Sequence, residues 1–464
     1  MTENTTTRTE RDSMGPVEVP GEALYGAQTG RALDNFPISD LRFNRRFIQA
    51  LAALKLEAAE VNLELGVIDR TKRDLIVEAA EEVVRGDHDE HFVLDIFQTG
   101  SGTSTNMNAN EVISNRAIQI AGGEVGSKDP VHPNDHVNQG QSSNDIIPTA
   151  IHLSALIGIK EDLLPALTKM QAALEAKADE FDGVVKTGRT HLQDATPIRL
   201  GQEFRGYAGQ VERGIQRVNK AAEDLAEVAL GGTAVGTGVN AKPEFSQKVC
   251  RRISRRFGVE VRETENHFQA QSAMDATVFA SGALKTVAVS FLKIANDIRF
   301  LGSGPRAGYA EIALPEVQPG SSIMPGKVNP VIAESAAMVS AQVLGNDATV
   351  AYAGASGNFE LNVMLPVIAY NLNQSVDLLA STANNLTDQC IAGLEATDRG
   401  PTLVEQGLML ATSLAPEIGY DTAAALAKEA YKEDKTIREI AREKTDLSEE
   451  KLDELLDASK MTGV

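Results

Sequence analysis

The chain has 464 residues, 42% of them hydrophobic, two cysteines and a formal net charge of −21. Its length allows two or three domains with substantial cores, while Cys250 and Cys390 are too few for a disulfide framework, a CxxC-type metal site or an iron–sulfur cluster. So acidic a surface is a poor partner for nucleic acid and suits either an ordinary acidic enzyme or a protein of a salty cytoplasm, where dissolved ions screen the self-repulsion.

The first twenty residues read as a loose polar tail entering through Gly15-Pro16 and Pro20-Gly21, without the apolar core of a signal peptide. No run of about 18 apolar residues is evident further on, so a soluble cytoplasmic protein with no membrane partner is expected. From Arg45 to Leu65 the apolar positions Phe47, Leu51, Leu54, Ala58 and Val61 recur in steps of four and three, which predicts a helix capped at Gly66. Thr71 and Asp74 offer a capping box to a second helix ending at Gly86. Next, the hydroxyl-rich stretch Gln98–Glu111 opens into a helix running to Gly122-Gly123. Ser101, Gly102 and Thr103 there occupy a helix N-terminus, whose free N–H groups suit a carboxylate or phosphate, although a plain cap is the simpler reading. The P-loop lysine is missing.

His132-Pro-Asn-Asp-His136 superficially offers a histidine pair at i and i+4, but Pro133 argues against a regular helix and no HExxH glutamate accompanies it, so no metal is expected. A second hydroxyl-rich turn, Gln139–Asp145 with Ser142, Ser143 and Asn144, leads into a helix with Pro148 in its first turn. That helical pattern continues to about Glu180 with a kink at Pro165. Lys186–Pro197 interrupts with polar groups, and Pro197 restarts a helix to about Leu230. Gly231–Gly238 is a hard break, Glu244–Phe257 a short helix, and about Asn266 to Leu301 the longest helix, with apolar and small residues on several sides that point to oligomer packing. Gln318–Pro330 holds Pro319, Pro325 and Pro330 beside Gly320 and Gly326, so regular structure is excluded. It presents Ser321, Ser322, Lys327 and Asn329 without a carboxylate, a set that suits an anionic ligand but also fits a surface linker. Helices at Val331–Ala355 and Leu361–Asp388 and several short charged ones complete an all-α chain, with a small C-terminal domain from about residue 393.

The clusters at 101–108, 142–144 and 321–329, with His191 in Gly188–Asp194, supply many hydrogen-bond donors, a lysine and one titratable base. Together they suit removal of a proton from carbon beside a carboxylate, because the carbanion is tolerable only when donors and a cation hold the resulting dianion. The bland alternatives are turn hydroxyls bonding their own backbone and a histidine anchoring a turn.

Gly320-Ser-Ser-Ile-Met-Pro-Gly-Lys-Val-Asn-Pro330 resembles the signature loop of the fumarase/aspartase superfamily, and the resemblance covers the chain from Arg11-Asp-Ser-Met-Gly15 to the C-terminal helices. His191 in Gly188–Pro197 and Gly326 in Pro325-Gly-Lys327 are most similar to the metal-independent class II fumarases; aspartases typically have Gln and Ala at those places. The resemblance implies three helical domains, here 1–141, 142–392 and 393–464, the central one a long five-helix bundle forming a twenty-helix core in a homotetramer whose active sites draw on three subunits. It implies reversible hydration of fumarate to (S)-malate, a small dicarboxylate substrate and no cofactor. Ser321 matches the catalytic base, His191 the group handling the hydroxyl through water, and Glu334 the carboxylate partnering that histidine. Ser101, Gly102, Thr103, Ser142, Ser143, Asn144, Thr190, Ser322, Lys327, Val328 and Asn329 match substrate contacts. His132, Pro133, Asn134 and Asp135 match a second, non-catalytic anion site, although Lys128-Asp-Pro130 departs from the basic residues that members often place nearer to it. Alternatives are an ammonia-lyase of the aspartase type and a catalytically silent bundle.

Overall fold

The computed structural model describes residues 7–463, and 62% of the protein is helical, so the fold is all-α as the sequence implies. From position 7 onward the stretch read as a loose tail is instead a hairpin, β1 (Thr7–Asp12) and β2 (Gly15–Pro20), paired antiparallel with Asp12 opposite Gly15; the part before Thr7 lies outside the described residues. Arg31, on α1 (Ala27–Asn35), fixes the hairpin by two bonds to Asp12 at 2.8 and 3.0 Å. That guanidinium holds the Asp12 carboxyl below its usual range.

The helix α2 (Arg45–Glu64) starts at Asn44, whose Oδ1 accepts the Phe47 N–H at 3.1 Å, and stops before Gly66 at φ +68°. The next helix, α3 (Arg70–Arg85), ends at left-handed Gly86 as expected, but its cap is Asp69 accepting the Lys72 N–H at 2.9 Å, not Thr71 with Asp74. Two further helices, α4 (Thr103–Ile120) and α5 (Ser143–Gly158), begin at the two hydroxyl-rich turns. Pro148 lies in the second turn of α5, not the first. A π-type turn at Ile159–Leu163 separates α5 from α6 (Leu164–Glu180); Pro165 has no N–H for the preceding turn, so the ladder widens just before it.

Residues read as a polar interruption form a second hairpin, β3 (Val185–Thr190) and β4 (Gln193–Arg199). Pro197 belongs to β4, and the helix it was expected to start is α7 (Leu200–Leu225). After α8 (Phe245–Phe257), the expected single helix from 266 to 301 is two, α9 (His267–Ser272) and α10 (Asp275–Leu301), with Ala273 extended between them. The break falls where the backbone of Gly357 meets the Ser272 carbonyl, so closely that a Cβ on Gly357 would lie 2.3 Å from that oxygen. Finally α11 (Val331–Gly354) and α12 (Leu365–Gln389) follow, the residues between them making a two-residue ladder, Gly357–Asn358 with Leu361–Asn362. Although Lys285 and Lys293 interrupt it, α10 has the length and composition to cross a membrane; 56% of its most apolar stretch is buried inside the protein, as in a core helix.

Two compact units result: residues up to Pro165 with Gln216–Thr286 and Ala341–Ala380, and Ala166–Ile215 with Val287–Ser340 and the residues from Ser381. Leu51, Leu54, Ile76, Val83, Ile113 and Ile151 are buried in the first. The second contains a C-terminal core of Leu410, Leu414, Leu426, Ile440, Leu452 and Leu456, with Val185 of β3 packed on it.

Candidate active site

Each unit holds one group of the residues singled out by the sequence. In the first, Gly102 takes φ +71° as the N-cap of α4, and a Cβ there would sit 2.9 Å from Ile147 Cγ2. Glycine therefore both makes the turn and lets the loop lie against the first turns of α5. Ser101 and Thr103 share a hydroxyl–hydroxyl bond of 2.7 Å, and Asn106 Nδ2 donates to Ser143 Oγ at 3.0 Å, so 101–103 and 142–144 are brought together. Ser142 heads a capping box: its Oγ accepts the Asn144 N–H at 3.2 Å while its own N–H donates to Asp145 Oδ1 at 2.9 Å. The other Asp145 oxygen accepts the N–H groups of Gly231 and Thr233 at 3.1 and 2.9 Å, and Asn144 Nδ2 donates to the Ala234 carbonyl at 2.7 Å. Burial raises the Asp145 carboxyl above its ordinary value. Two helix N-termini thus lie side by side behind a rim of hydroxyls, an arrangement that attracts carboxylates.

In the second unit, His191 and Leu192 are the two central residues of the β3–β4 turn, both left-handed at φ +57° and +59°. A two-residue turn of this kind favours Asn-Gly, and non-glycine residues held there are strained. What holds it is an ion cluster at its base. Buried Glu311 accepts two bonds from Arg189 at 2.7 and 3.1 Å and pairs with Lys186 at 3.1 Å, while Lys186 also reaches Glu203 at 2.8 Å. Arg189 lies 4.3 Å over the Tyr309 ring. The exposed His191 imidazole and Thr190 are therefore displayed at the tip of an anchored hairpin.

The 318–330 loop is pinned at its neck by Gly320 N–H donating to the Lys327 carbonyl at 2.8 Å, an approach that a Cβ on Gly320 would block at 2.2 Å. Ser321 Oγ accepts the N–H groups of Ile323 and Met324 at 3.2 and 2.9 Å. Lys327 Nζ donates to Asn329 Oδ1 at 2.8 Å, and Asn329 Nδ2 donates to the Gly320 carbonyl. Ser322 and Val328 are exposed on the same loop, and Glu334 stands in the first turn of α11. Within one chain, no hydrogen bond among the described residues joins His191 to Glu334 or Ser321 to Lys327.

His132 and Asn134 line a separate 230 Å³ cavity with Pro133, Arg11, Ser13 and Lys128, and with the carboxylates Glu10, Asp12 and Glu111. The Nδ1 of His132 accepts the N–H groups of Asn134 and Asp135 at 3.1 Å each, which leaves its other nitrogen as the one able to donate outward. Lys128, set apart from this motif in the sequence, reaches the same cavity. His88, Glu90 and His91 have potential metal-ligand atoms within 4.8 Å of one another. However, His91 Nδ1 accepts the Leu24 N–H at 3.5 Å, so its proton sits on the nitrogen facing Glu90, and His88 is bonded to Glu82 at 2.7 Å. Those contacts describe hydrogen-bonded histidines rather than free ligands.

Sequence reading missed Lys55, a lysine of 0% exposure in α2 whose Nζ donates to Asn138 Oδ1 at 2.8 Å, in the network that ends on Ser143. The available signal was a lysine in an alanine- and leucine-rich helix with no carboxylate at i±4.

The chain is similar to known lyases over most of its length. A family model described as "Lyase" matches residues 15–345, and one described as "Fumarase C C-terminus" matches residues 410–463. The chain is 55% identical to a class II fumarate hydratase of Halobacterium salinarum over 98% of this chain and 97% of that protein. It is 52% identical to one of Neisseria meningitidis over 97% and 98%. The crystal structure of a class II fumarase from Schistosoma mansoni superimposes with a TM-score of 0.96 at 40% identity, covering 98% of this chain and 99% of that one.

Proposed function

The chain belongs to the class II fumarate hydratase family of lyases, and from that premise we propose how its own residues carry reversible hydration of fumarate to (S)-malate. In the dehydration direction Ser321 Oγ takes the C3 proton, and the electron pair moves into the adjacent carboxylate as an aci-dianion. Lys327, Asn329, Thr103 and Asn144 stabilise that charge. The C2 hydroxyl then departs on the opposite face as water, its proton supplied from His191 through a bridging water, with Glu334 partnering the imidazole. Ser101, Gly102, Ser142, Ser143, Thr190, Ser322 and Val328 hold the substrate carboxylates. His132, Pro133, Asn134 and Asp135, with Lys128, form a second anion site that takes no part in the chemistry.

The observation that carries this reading is the pair of backbone N–H groups on Ser321 Oγ. A serine is a weak base unless its alkoxide is stabilised, and two preorganised N–H donors lower that cost. We further propose a soluble cytoplasmic homotetramer that needs no metal. Supporting assembly, Phe279, Val289 and Phe300 of α10 and Met338 and Tyr352 of α11 are exposed in the single chain, at 46, 49, 48, 68 and 72%. Three subunits would then bring the two groups of residues to one site.

The decisive test is ultraviolet detection of fumarate formed from (S)-malate, with EDTA present and aspartate assayed in parallel. Turnover of malate alone is expected. Turnover of aspartate but not malate would replace the reading with an ammonia-lyase, and turnover of neither would leave a silent bundle.

A further inference from the structure

Lys55 lies at the centre of α2, where every residue from Leu51 to Ala59 is buried. Its hydrogen-bond partner among the described residues is Asn138 Oδ1, and that single oxygen also accepts Asn106 Nδ2 and Asn110 Nδ2, each at 3.2 Å. Asn106 Nδ2 donates in turn to Ser143 Oγ at 3.0 Å. Meanwhile Asn106 Oδ1 and Asn110 Oδ1 are buried without a hydrogen-bond partner. Two orphaned carbonyl oxygens are costly, so something imposes this orientation on the amides.

An ammonium group only donates, whereas an asparagine side chain can present either end. Facing Lys55, Asn138 must therefore turn its oxygen inward. That oxygen then requires the nitrogen of Asn106, and the same Asn106 nitrogen occupies a lone pair of Ser143 Oγ. A hydroxyl that already accepts is left with its proton free to donate elsewhere.

We propose that Lys55 is a positioning residue for the hydratase reaction: through Asn138 and Asn106 it fixes the polarity of the amide chain so that Ser143 offers its hydroxyl proton to a substrate carboxylate. A neutral side chain at position 55 would let the two amides reverse. Asn106 Oδ1 would then accept from Ser143, and the proton meant for substrate would point into the protein. Burial brings the Lys55 ammonium down to about 7, so its proton is present below neutrality and lost above it. Besides Asn138, the charged group bearing on it is Asp145. The inference rests on Ser143 contacting substrate, as proposed above.

The experiment is a double-mutant cycle in the full-length protein with Lys55→Met, which preserves bulk, and Ser143→Ala, reading KM and kcat for malate. Lys55→Met is expected to raise KM about tenfold, the loss of one hydrogen bond to a charged ligand, with kcat changed less than twofold. In the Ser143→Ala background Lys55→Met should add nothing. An equal effect in both backgrounds, or no effect in either, overturns the role of Lys55. An unchanged KM for Ser143→Ala alone overturns the substrate contact itself, a separate failure. Should Lys55→Met not fold, succinate binding is measured against pH in otherwise intact His191→Asn protein. Affinity should weaken as pH rises through about 7; a flat profile overturns the proposal.

Discussion

At the scale of single residues, the proposed mechanism divides the chemistry between a hydroxyl with two N–H donors and an imidazole on a strained turn. Ser321→Ala and His191→Asn should each cut kcat at least about a hundredfold, as loss of a general base or acid does, while leaving the oligomer intact on size exclusion. Near-normal turnover in both variants would reject the assignment. Lys55 makes a different prediction. Its folded value of about 7 lies below the unfolded lysine value, so between these limits the unfolded chain holds a proton that the folded chain lacks. Stability therefore rises with pH across this window, by up to about 1.4 kcal/mol per pH unit, and falls away as pH drops toward 7. Urea unfolding at several pH values should show a steeper slope in the native protein than in Lys55→Met. Ser321, Lys327 and His191 stand out in the sequence because they sit in loops of unusual composition. Lys55 was not, because helical periodicity registers only the apolar positions around it, and its meaning depends on Asn138 and Asn106, distant in sequence.

Among the elements, long helices declared themselves through spacing and caps, as α2 did through Phe47, Leu51 and Gly66. Both hairpins escaped. The β3–β4 pair has no regular apolar alternation, and its turn residues are His191 and Leu192 where a sequence rule looks for Asn-Gly. The turn survives because tertiary contacts outweigh local preference, and the contacts responsible are those of Lys186, Arg189 and Glu311. Lys186 and Glu311 are each 1% exposed. Glu311→Gln should therefore cost about 3 kcal/mol, since it takes the carboxylate from Arg189 and leaves buried Lys186 with Glu203 alone. Thermal unfolding checks this directly. Loss of activity without loss of stability would show that the cluster tunes His191 rather than holding the hairpin. The split between α9 and α10 was equally invisible, because the close approach of Gly357 to Ser272 is a long-range event.

For the whole molecule, composition spoke clearly about charge and less clearly about arrangement. A net charge of −21 disfavours the compact state through self-repulsion. The melting temperature should rise between about 0.1 and 1 M potassium chloride, as the screening length shrinks from about 10 to 3 Å; no rise would leave an ordinary acidic enzyme. The neighbouring N-termini of α4 and α5 add a kinetic consequence. A dicarboxylate approaching this surface is repelled at long range and attracted only within the last few ångströms, where two helix ends and their hydroxyl rim take over. Encounter is thus governed by a barrier in front of a well. Added salt should flatten the barrier before it weakens the well, so the second-order capture rate should first climb with ionic strength and then level off, the reverse of electrostatic steering.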